Sequence, residues 1–458
     1  MSAPLYDAER GTLSMALVGD AMIARALSPH QEPAFLALAE VLQSSDVTFA
    51  NLETTVREAQ EGWSNFTQGT PMSTAPELLG ELRWMGVDVV SLANNHSTDY
   101  GPTGLVACMD HLRAHRMPYA GAGRTLMEAR KPVYVDTANG RVALVAATAF
   151  FRPWNRAADS RPDSPGRPGI SPLGFSTGYT VDEASLEALR RASDMLGMSQ
   201  ERVRHRSMFY SASEAPADDA DSVMFLGSKF QRGAQAGTST RANKDDAQDI
   251  LRWIAEARSQ ADWVIFSFHN HEFGSEGRLT AATEVELGEP ARFALEFGRQ
   301  AVEAGADVVV GHGPHLVMGA EIHKGRPIFH SLGNFIFQNE AIGAFPAEAY
   351  ARFGLGATAT PSEFLDARTG KDTRGFPASP EFWQGCAATC EFEAGRLARV
   401  RLLPLDLGHG RPRAQRGRPM LAQGEVADAI LGRIERLSQP YGTRFEREGD
   451  TLVMRLTA

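Results

Sequence analysis

Five short apolar runs in this chain each stop at residues able to bind a metal ion or move a proton. Met15–Val18 runs into Gly19-Asp20, Val47–Ala50 into Asn51-Leu52-Glu53, and Val89–Ala93 into Asn94-Asn95-His96, with Asp99 close behind. Val264–Phe268 runs into His269-Asn270-His271-Glu272, and Val308–Val310 into Gly311-His312-Gly313-Pro314-His315. Continuous apolar runs of this length read as strands buried on both faces, as parallel strands are. In open α/β sheets, ligands bind outside the carboxyl ends of such strands, so five clusters on one edge converge on one pocket. Taken singly, each cluster is equally a turn or a helix cap. Together they mark a site.

The remaining pattern is that of an α/β protein. Candidate strands are Leu13–Val18, Val47–Ala50, Asp88–Leu92, Val142–Ala149, Trp263–Phe268 and Asp307–Val310, with helical periodicity at Ala34–Leu42, Glu77–Met85, Gly104–His115 and Arg292–Ala304. Gly86-Val87-Asp88-Val89-Val90 and Gly305-Ala306-Asp307-Val308-Val309 match each other, which hints at two similar halves. Between them lies a stretch of different composition, about 152–243, that opens with prolines and arginines and reads as an insertion or lid. Within it, Thr180 and Glu183 have the spacing of a capping box, opening a helix with Leu186, Leu189, Ala192 and Leu196 on one face. The expected organisation is a catalytic domain over 13–340, interrupted by that insertion, and a β-rich C-terminal extension over 341–458. The extension carries a hairpin around Ala394-Gly395, a helix at Glu425–Leu437 and a final strand at Thr451–Leu456, after an irregular segment beyond Gln338.

Composition narrows the chemistry. Fifty-six acids against 46 bases give a formal charge of −10, which argues against a nucleic-acid binder. Three cysteines, Cys108, Cys386 and Cys390, rule out a zinc site of four thiolates. Cys386 and Cys390 sit four apart in a predicted strand, ~13 Å from each other, whereas a disulfide needs Cα atoms within ~7 Å. The longest apolar stretch, Val142–Phe151, is about half a membrane span, so no span and a cytoplasmic location are expected. The donors in the loops are carboxylate, amide oxygen and imidazole. They suit one or two divalent ions, with Mn, Fe or Zn favoured and Mg or Ca also accommodated. No Gly-x-Ser-x-Gly elbow, Walker loop or Gly-x-Gly-x-x-Gly turn competes.

The ordered blocks resemble a known family. Gly19-Asp20, Asn51-Leu52-Glu53, Leu92-Ala93-Asn94-Asn95-His96 with Asp99-Tyr100-Gly101, Gly311-His312 with Pro314-His315, and Ser331-Leu332-Gly333-Asn334-Phe335 are similar to the bacterial capsule-synthesis CapA (poly-γ-glutamate synthesis) family, of the calcineurin-like metallophosphatase superfamily. Arg167-Pro168-Gly169-Ile170 also resembles the family's middle region. The resemblance implies a four-layer α/β/β/α sandwich with metal at the strand ends. It implies Asp20, Glu53, Asn95, His269, His312 and His315 as metal ligands, Glu53 in place of a bridging aspartate, and His96 as the acid that protonates the leaving group. Two blocks depart from it. Asp20-Ala21-Met22 stands where the superfamily has Asp-x-His, and His269-Asn270-His271 where the family more usually has His-Trp-Gly.

Three functions follow as expectations. The first is a metal-dependent hydrolase using activated water on a phosphoester or a glutamyl or peptide amide, with His96 or His315 as general acid and Asp20 at the reacting centre. His271, Asp99 and Asn334 would support the site, and Arg152, Arg156 and Arg167 would hold an anionic small-molecule or peptide substrate. The second is a metal-dependent peptide epimerase, with Asp20 and His312 or His315 exchanging a Cα proton. The third is a non-catalytic partner in poly-γ-glutamate or capsule synthesis. Nucleic acid is an expected partner of none of them.

Overall fold

The computed structural model describes residues 11–65, 69–208, 218–274 and 288–456. The architecture is mixed α/β. In chain order the elements that build the site are β1 (Leu13–Met22), α1 (Pro33–Gln43), β2 (Val47–Leu52), α2 (Leu79–Trp84), β3 (Val89–Ser91), α3 (Gly101–Ala114), β4 (Gly140–Thr148), α4 (Lys244–Gln260), β5 (Trp263–His269), α5 (Arg292–Ala304), β6 (Val308–His312), β7 (Asn334–Phe337), β8 (Gln384–Glu393), β9 (Arg396–Asp406) and α6 (Gly424–Ser438).

Two sheets carry the fold. In the ten-stranded sheet β8 runs antiparallel to β1, while β1, β2 and β3 are parallel and β7 pairs with the end of β1. In the six-stranded sheet β4, β5 and β6 are parallel neighbours. Period-2 alternation sorts each strand's side chains onto two faces. Leu13, Met15 and Leu17 of β1 share one core with Val47, Phe49, Leu144, Trp263, Ile265, Val308 and Val310, so the two sheets pack face to face. Ala16 and Val18 of β1 join the other core with Phe35 and Leu38 of α1, Leu79 and Leu82 of α2, and Leu105, Met109 and Leu112 of α3. On the second sheet Phe266 and Phe268 meet Phe297 of α5, with ring centroids 5.7 and 5.9 Å apart.

The matching Gly-x-Asp-Val-Val stretches have one structural job. Gly86 and Gly305 leave their helices at positive φ, +96° and +123°, a region open to glycine. The aspartate that follows precedes a parallel strand and accepts a backbone N–H from the strand alongside: Asp88 from Thr48 at 2.8 Å and Asp307 from Val264 at 2.9 Å. Asp46 does the same for Ser14 (2.7 Å), and Asp262 for Arg141 (2.7 Å). Each sheet thus has two carboxylates extending its parallel ladder at the end opposite the functional loops.

The chain divides into two compact units: Met1–Leu173 with Asp245–Glu272 and Phe297–Ala458, and Gly174–Lys244 with Phe273–Glu296. The Pro/Arg-rich stretch up to Leu173 groups with the larger unit, where Gly169–Ile170 pairs antiparallel with Ala122–Gly123. The C-terminal β8 and β9 are strands of the main sheet. The smaller unit holds a four-stranded sheet, in order 222–225, 228–232, 175–181 and 237–242, and helices Glu183–Met195 and Met198–Met208.

Several expectations change. Thr180 lies in a strand, Phe175–Val181, paired on both sides, and cannot cap. The cap is Asp182, whose carboxylate accepts the Ser185 N–H at 2.8 Å. Leu186 is buried but Leu196, beyond the last turn, is 69% exposed. The segment after Gln338 is not wholly irregular, because it contains helices Ala347–Arg352 and Pro361–Thr369. The three cysteines are free and buried. Among the described residues no helix is long and apolar enough to cross a membrane.

Candidate metal centre

Parallel register brings the loop residues together. Asp20 lies opposite Asn51 of β2 on one side and Asn334 of β7 on the other, and His269 stands beside His312 across β5 and β6. Glycine at 19 is required here. The Asp20 N–H donates to the Gly333 carbonyl at 3.0 Å, and a Cβ on residue 19 would lie 1.8 Å from that oxygen.

The Asp20 carboxylate is fully buried and accepts from Asn51 Nδ2 at 2.8 Å and from the Gly313 N–H at 3.0 Å. His315 Nδ1 is 3.3 Å and His312 Nδ1 3.5 Å from it. His269 Nδ1 is 3.0 Å from His312 Nδ1, while its Nε2 is 2.9 Å from Asn95 Oδ1 and 3.0 Å from His271 Nε2. Three overlapping sets have donor atoms within 4.8 Å of one another: Asp20, His269 and His312; Glu53, His269 and His271; Asp20, Glu53 and His315.

Glu53 makes the strongest case for a cation. It is fully buried, and neither carboxylate oxygen has a hydrogen-bond partner among the described residues. Imidazole nitrogens face its Oε1 instead: His269 Nε2 at 3.8 Å, His315 Nε2 at 3.9 Å and His96 Nε2 at 3.9 Å. Buried carboxylates are normally hydrogen-bonded, because an unmet one costs about 1–3 kcal/mol or more. A divalent ion bonded to carboxylate oxygen and imidazole nitrogen satisfies this arrangement.

Electrostatics agree. Burial, then the neighbouring charge of Asp20, pushes the Glu53 carboxyl well above its ordinary range. Burial would raise Asp20 too, but its hydrogen bond to His315 and the charges of His315, His312 and His269 outweigh this and hold it far below. Burial drives the imidazoles toward the neutral, ligating form: His271 down to about 3, His312 to about 4, and His269 well below its usual value.

Supporting contacts fix the tautomers. Ser267 Oγ is 2.7 Å from His312 Nε2, and Nε2–H donation to it leaves Nδ1 bare toward Asp20. His315 adopts φ +61°, uncommon for a non-glycine residue. Asn334 holds it there, accepting from Nδ1 at 3.0 Å and donating to the His315 carbonyl at 3.4 Å. His96 Nδ1 meets Asp99 Oδ2 at 2.6 Å, and Asp99 also accepts the Met72 N–H at 2.7 Å. That leaves His96 Nε2 facing the cluster.

Asp20, Glu53, Asn95, His269, His271, His312 and His315 therefore come together, with His96 at the edge and Asp99 and Asn334 behind. The arginines do not join them. Arg156 is ion-paired with Asp246 at 3.1 Å, Arg167 Nε donates to the Arg156 carbonyl at 3.0 Å, and the Arg152 and Arg167 side chains are exposed. Met22, where the superfamily histidine would stand, is buried in the helix-side core. Sequence reasoning missed three contributors. Ser267 was signalled as a polar residue two before His269 on the same strand face. Asn94 lay inside a noted block and donates to Asn51 Oδ1 at 3.0 Å. Phe150 stacks on His271 with centroids 4.1 Å apart, and carried no signal.

The model of the family described as "Bacterial capsule synthesis protein PGA_cap" matches residues 14–339. The chain belongs to that family. Every candidate ligand of the PGA_cap centre lies inside the matched range. The uncharacterized protein y4uA of Sinorhizobium fredii is 33% identical over 97% of this chain and 93% of its own length. The capsule biosynthesis protein CapA of Bacillus anthracis is 22% identical over 73% of this chain, which spans 62% of that protein. Among solved structures, a phosphatase from Mycoplasma pneumoniae aligns over 87% of this chain and 94% of its own at 9% identity and a TM-score of 0.38, too loose to argue from.

Proposed function

We propose that this PGA_cap protein is a metal-dependent hydrolase of the metallophosphatase type, built as a four-layer α/β/β/α sandwich around the centre. The observation that carries the reading is the buried Glu53 carboxylate, without a hydrogen-bond partner and ringed by imidazole nitrogens. Asp20, Glu53, His269, His312 and His315 would hold the ion, with Asn95 and His271 completing the set. A divalent ion held there supplies Lewis acidity toward a substrate oxygen and toward water. The chain's own residues do the rest. Asp20 stays ionised. His96, oriented through Nδ1 by Asp99, presents Nε2 as the group that hands a proton to the leaving atom. Substrates in keeping with the site and with the capsule-related names of its relatives are phosphoesters and glutamyl or peptide amides.

The test is elemental analysis of the purified protein beside turnover of aryl phosphate and γ-glutamyl anilide panels. Asp20→Ala and His312→Ala are expected to lose metal and turnover together. Full activity in metal-free wild type would overturn the proposal.

One observation favours a second reading, peptide epimerisation. The core methionine at 22 stands in place of a ligand the phosphatases use, which favours chemistry that needs fewer metal ligands. Deuterium entering a peptide Cα in heavy water, without hydrolysis, would select it.

A further inference from the structure

Beside the metal centre lies a cavity of about 400 Å³, within the range of small-molecule sites. Two routes tie it to the centre. Phe376 on its wall meets the His315 ring edge-on, with centroids 5.5 Å apart. Thr70 on its other side is two residues before Met72, whose N–H holds Asp99 and so His96. One lining residue thus touches the His315 ring, and another lies two residues from the backbone N–H that holds Asp99 against His96.

Its lining joins an apolar wall to two arginines, Arg368 and Arg374, of which Arg368 is the less exposed. Leu365, Phe376, Pro377 and Phe382 supply the wall. The Arg368 guanidinium donates to Thr70 Oγ1 and faces no carboxylate within ion-pair distance among the described residues. Of the other charged lining groups, Glu340 is ion-paired with Arg416 at 2.5 Å, and Arg374 is exposed and held to the Ala367 and Arg368 carbonyls at 2.7 and 3.1 Å. Asn339 is buried with a side-chain oxygen that has no hydrogen-bond partner among the described residues, so a donor group on the apolar body could pair with it. Burial and the nearby charge of Arg352 disfavour the Arg368 cation, which is the environment an anion relieves. Apart from Thr70 and Asn339, the lining residues lie beyond residue 339, past the stretch shared with the family.

We infer that this cavity is the subsite for the non-reacting part of the substrate, taking an apolar body that bears a single anionic group, carboxylate or phosphate, on Arg368. Its place in catalysis rests on the hydrolase reading. Anion binding does not, so it is measured on chelator-treated protein, where the metal cannot be the receptor. Hippurate and phenyl phosphate serve as the carboxylate and phosphate probes, and benzamide as the neutral control, by calorimetric titration of the full chain.

At least one anion is expected to bind saturably and benzamide much more weakly. Arg368→Gln should weaken that anion about tenfold or more, in line with loss of a charge-assisted pair, and Arg368→Lys less. Whichever anion binds tighter identifies the substrate's group. Ala378→Trp fills the cavity from its exposed rim and is expected to abolish binding, even if Arg368→Gln fails to fold. No saturable anion binding, equal affinity for benzamide, or binding untouched by Ala378→Trp would overturn the inference. Intact anion binding with no metal-dependent turnover would leave the subsite standing and sink the hydrolase.

Discussion

Replacing Glu53 by glutamine should have opposite effects with and without metal. Glu53 is fully buried and its carboxyl is raised well above the ordinary 4.5, so the folded, metal-free chain holds a proton that the unfolded chain has released. Below about pH 4.5 both states are protonated and the side chain makes no difference. As pH rises beyond that, wild type loses about 1.4 kcal/mol per pH unit relative to the variant, until the folded-state carboxyl itself ionises. Glutamine keeps the shape and removes the titration. In chelator near neutral pH, Glu53→Gln should therefore be more stable than wild type by up to about 3.5 kcal/mol, the slope summed from about pH 4.5 to 7. With Mn2+ at a thousand times its Kd, wild type should gain about 4.1 kcal/mol and the variant far less, reversing the order. Urea denaturation across a pH series, with chelator and with Mn2+, measures all four states. If the variant is the less stable protein in chelator at neutral pH, or if Mn2+ stabilises both equally, Glu53 is not an isolated buried acid awaiting a cation.

Three further outcomes are expected. Ser267→Ala removes the partner of His312 Nε2 and should lower metal affinity about 10–100-fold, read by competition with a chromogenic chelator, with the fold intact by circular dichroism. Asp307→Ala leaves the buried Arg258 without the carboxylate 2.9 Å away and should cost about 3–5 kcal/mol in chemical denaturation, while metal stoichiometry of the folded fraction stays the same. His330, its side chain 5% exposed and driven to about 4 by desolvation, stays neutral in the folded chain while the unfolded imidazole protonates below about 6.5. Stability is lost as pH falls through that window, and His330→Gln should remove about 3 kcal/mol of the loss in a pH-resolved denaturation series.

Much of the site was legible because of how parallel strands are buried. With both faces covered, β1, β2, β5 and β6 read as unbroken apolar runs, and the first polar residue after each run marks the edge where ligands gather. The helices on the first sheet were legible for a related reason, since α1 and α3 each bury one face. What stayed hidden depended on pairing or on distant chain. Thr180 and Glu183 have capping spacing, but strand pairing on both sides of Thr180 claims its backbone. The helix at Pro361–Thr369 did carry local signals: Thr360 and Glu363 form a reciprocal capping box, and Gly370 closes it at φ +58°. With little amphipathic pattern between those signals, the segment still read as irregular. Of the arginines in the insertion, Arg156 meets a partner that local sequence does not show, Asp246, 90 residues on.

The donors are divided between the two sheets. Asp20 lies near the end of a strand of the first and Glu53 follows another, while His269 and His312 close strands of the second, with His271 and His315 just beyond. Each of the three donor sets takes ligands from both sheets. A bound metal would thus add a direct link between two surfaces joined by an apolar layer and a few hydrogen bonds, and its capture would be a late event in folding, possible only once the sheets have met. Metal release on heating would then report the parting of the sheets before either one unravels.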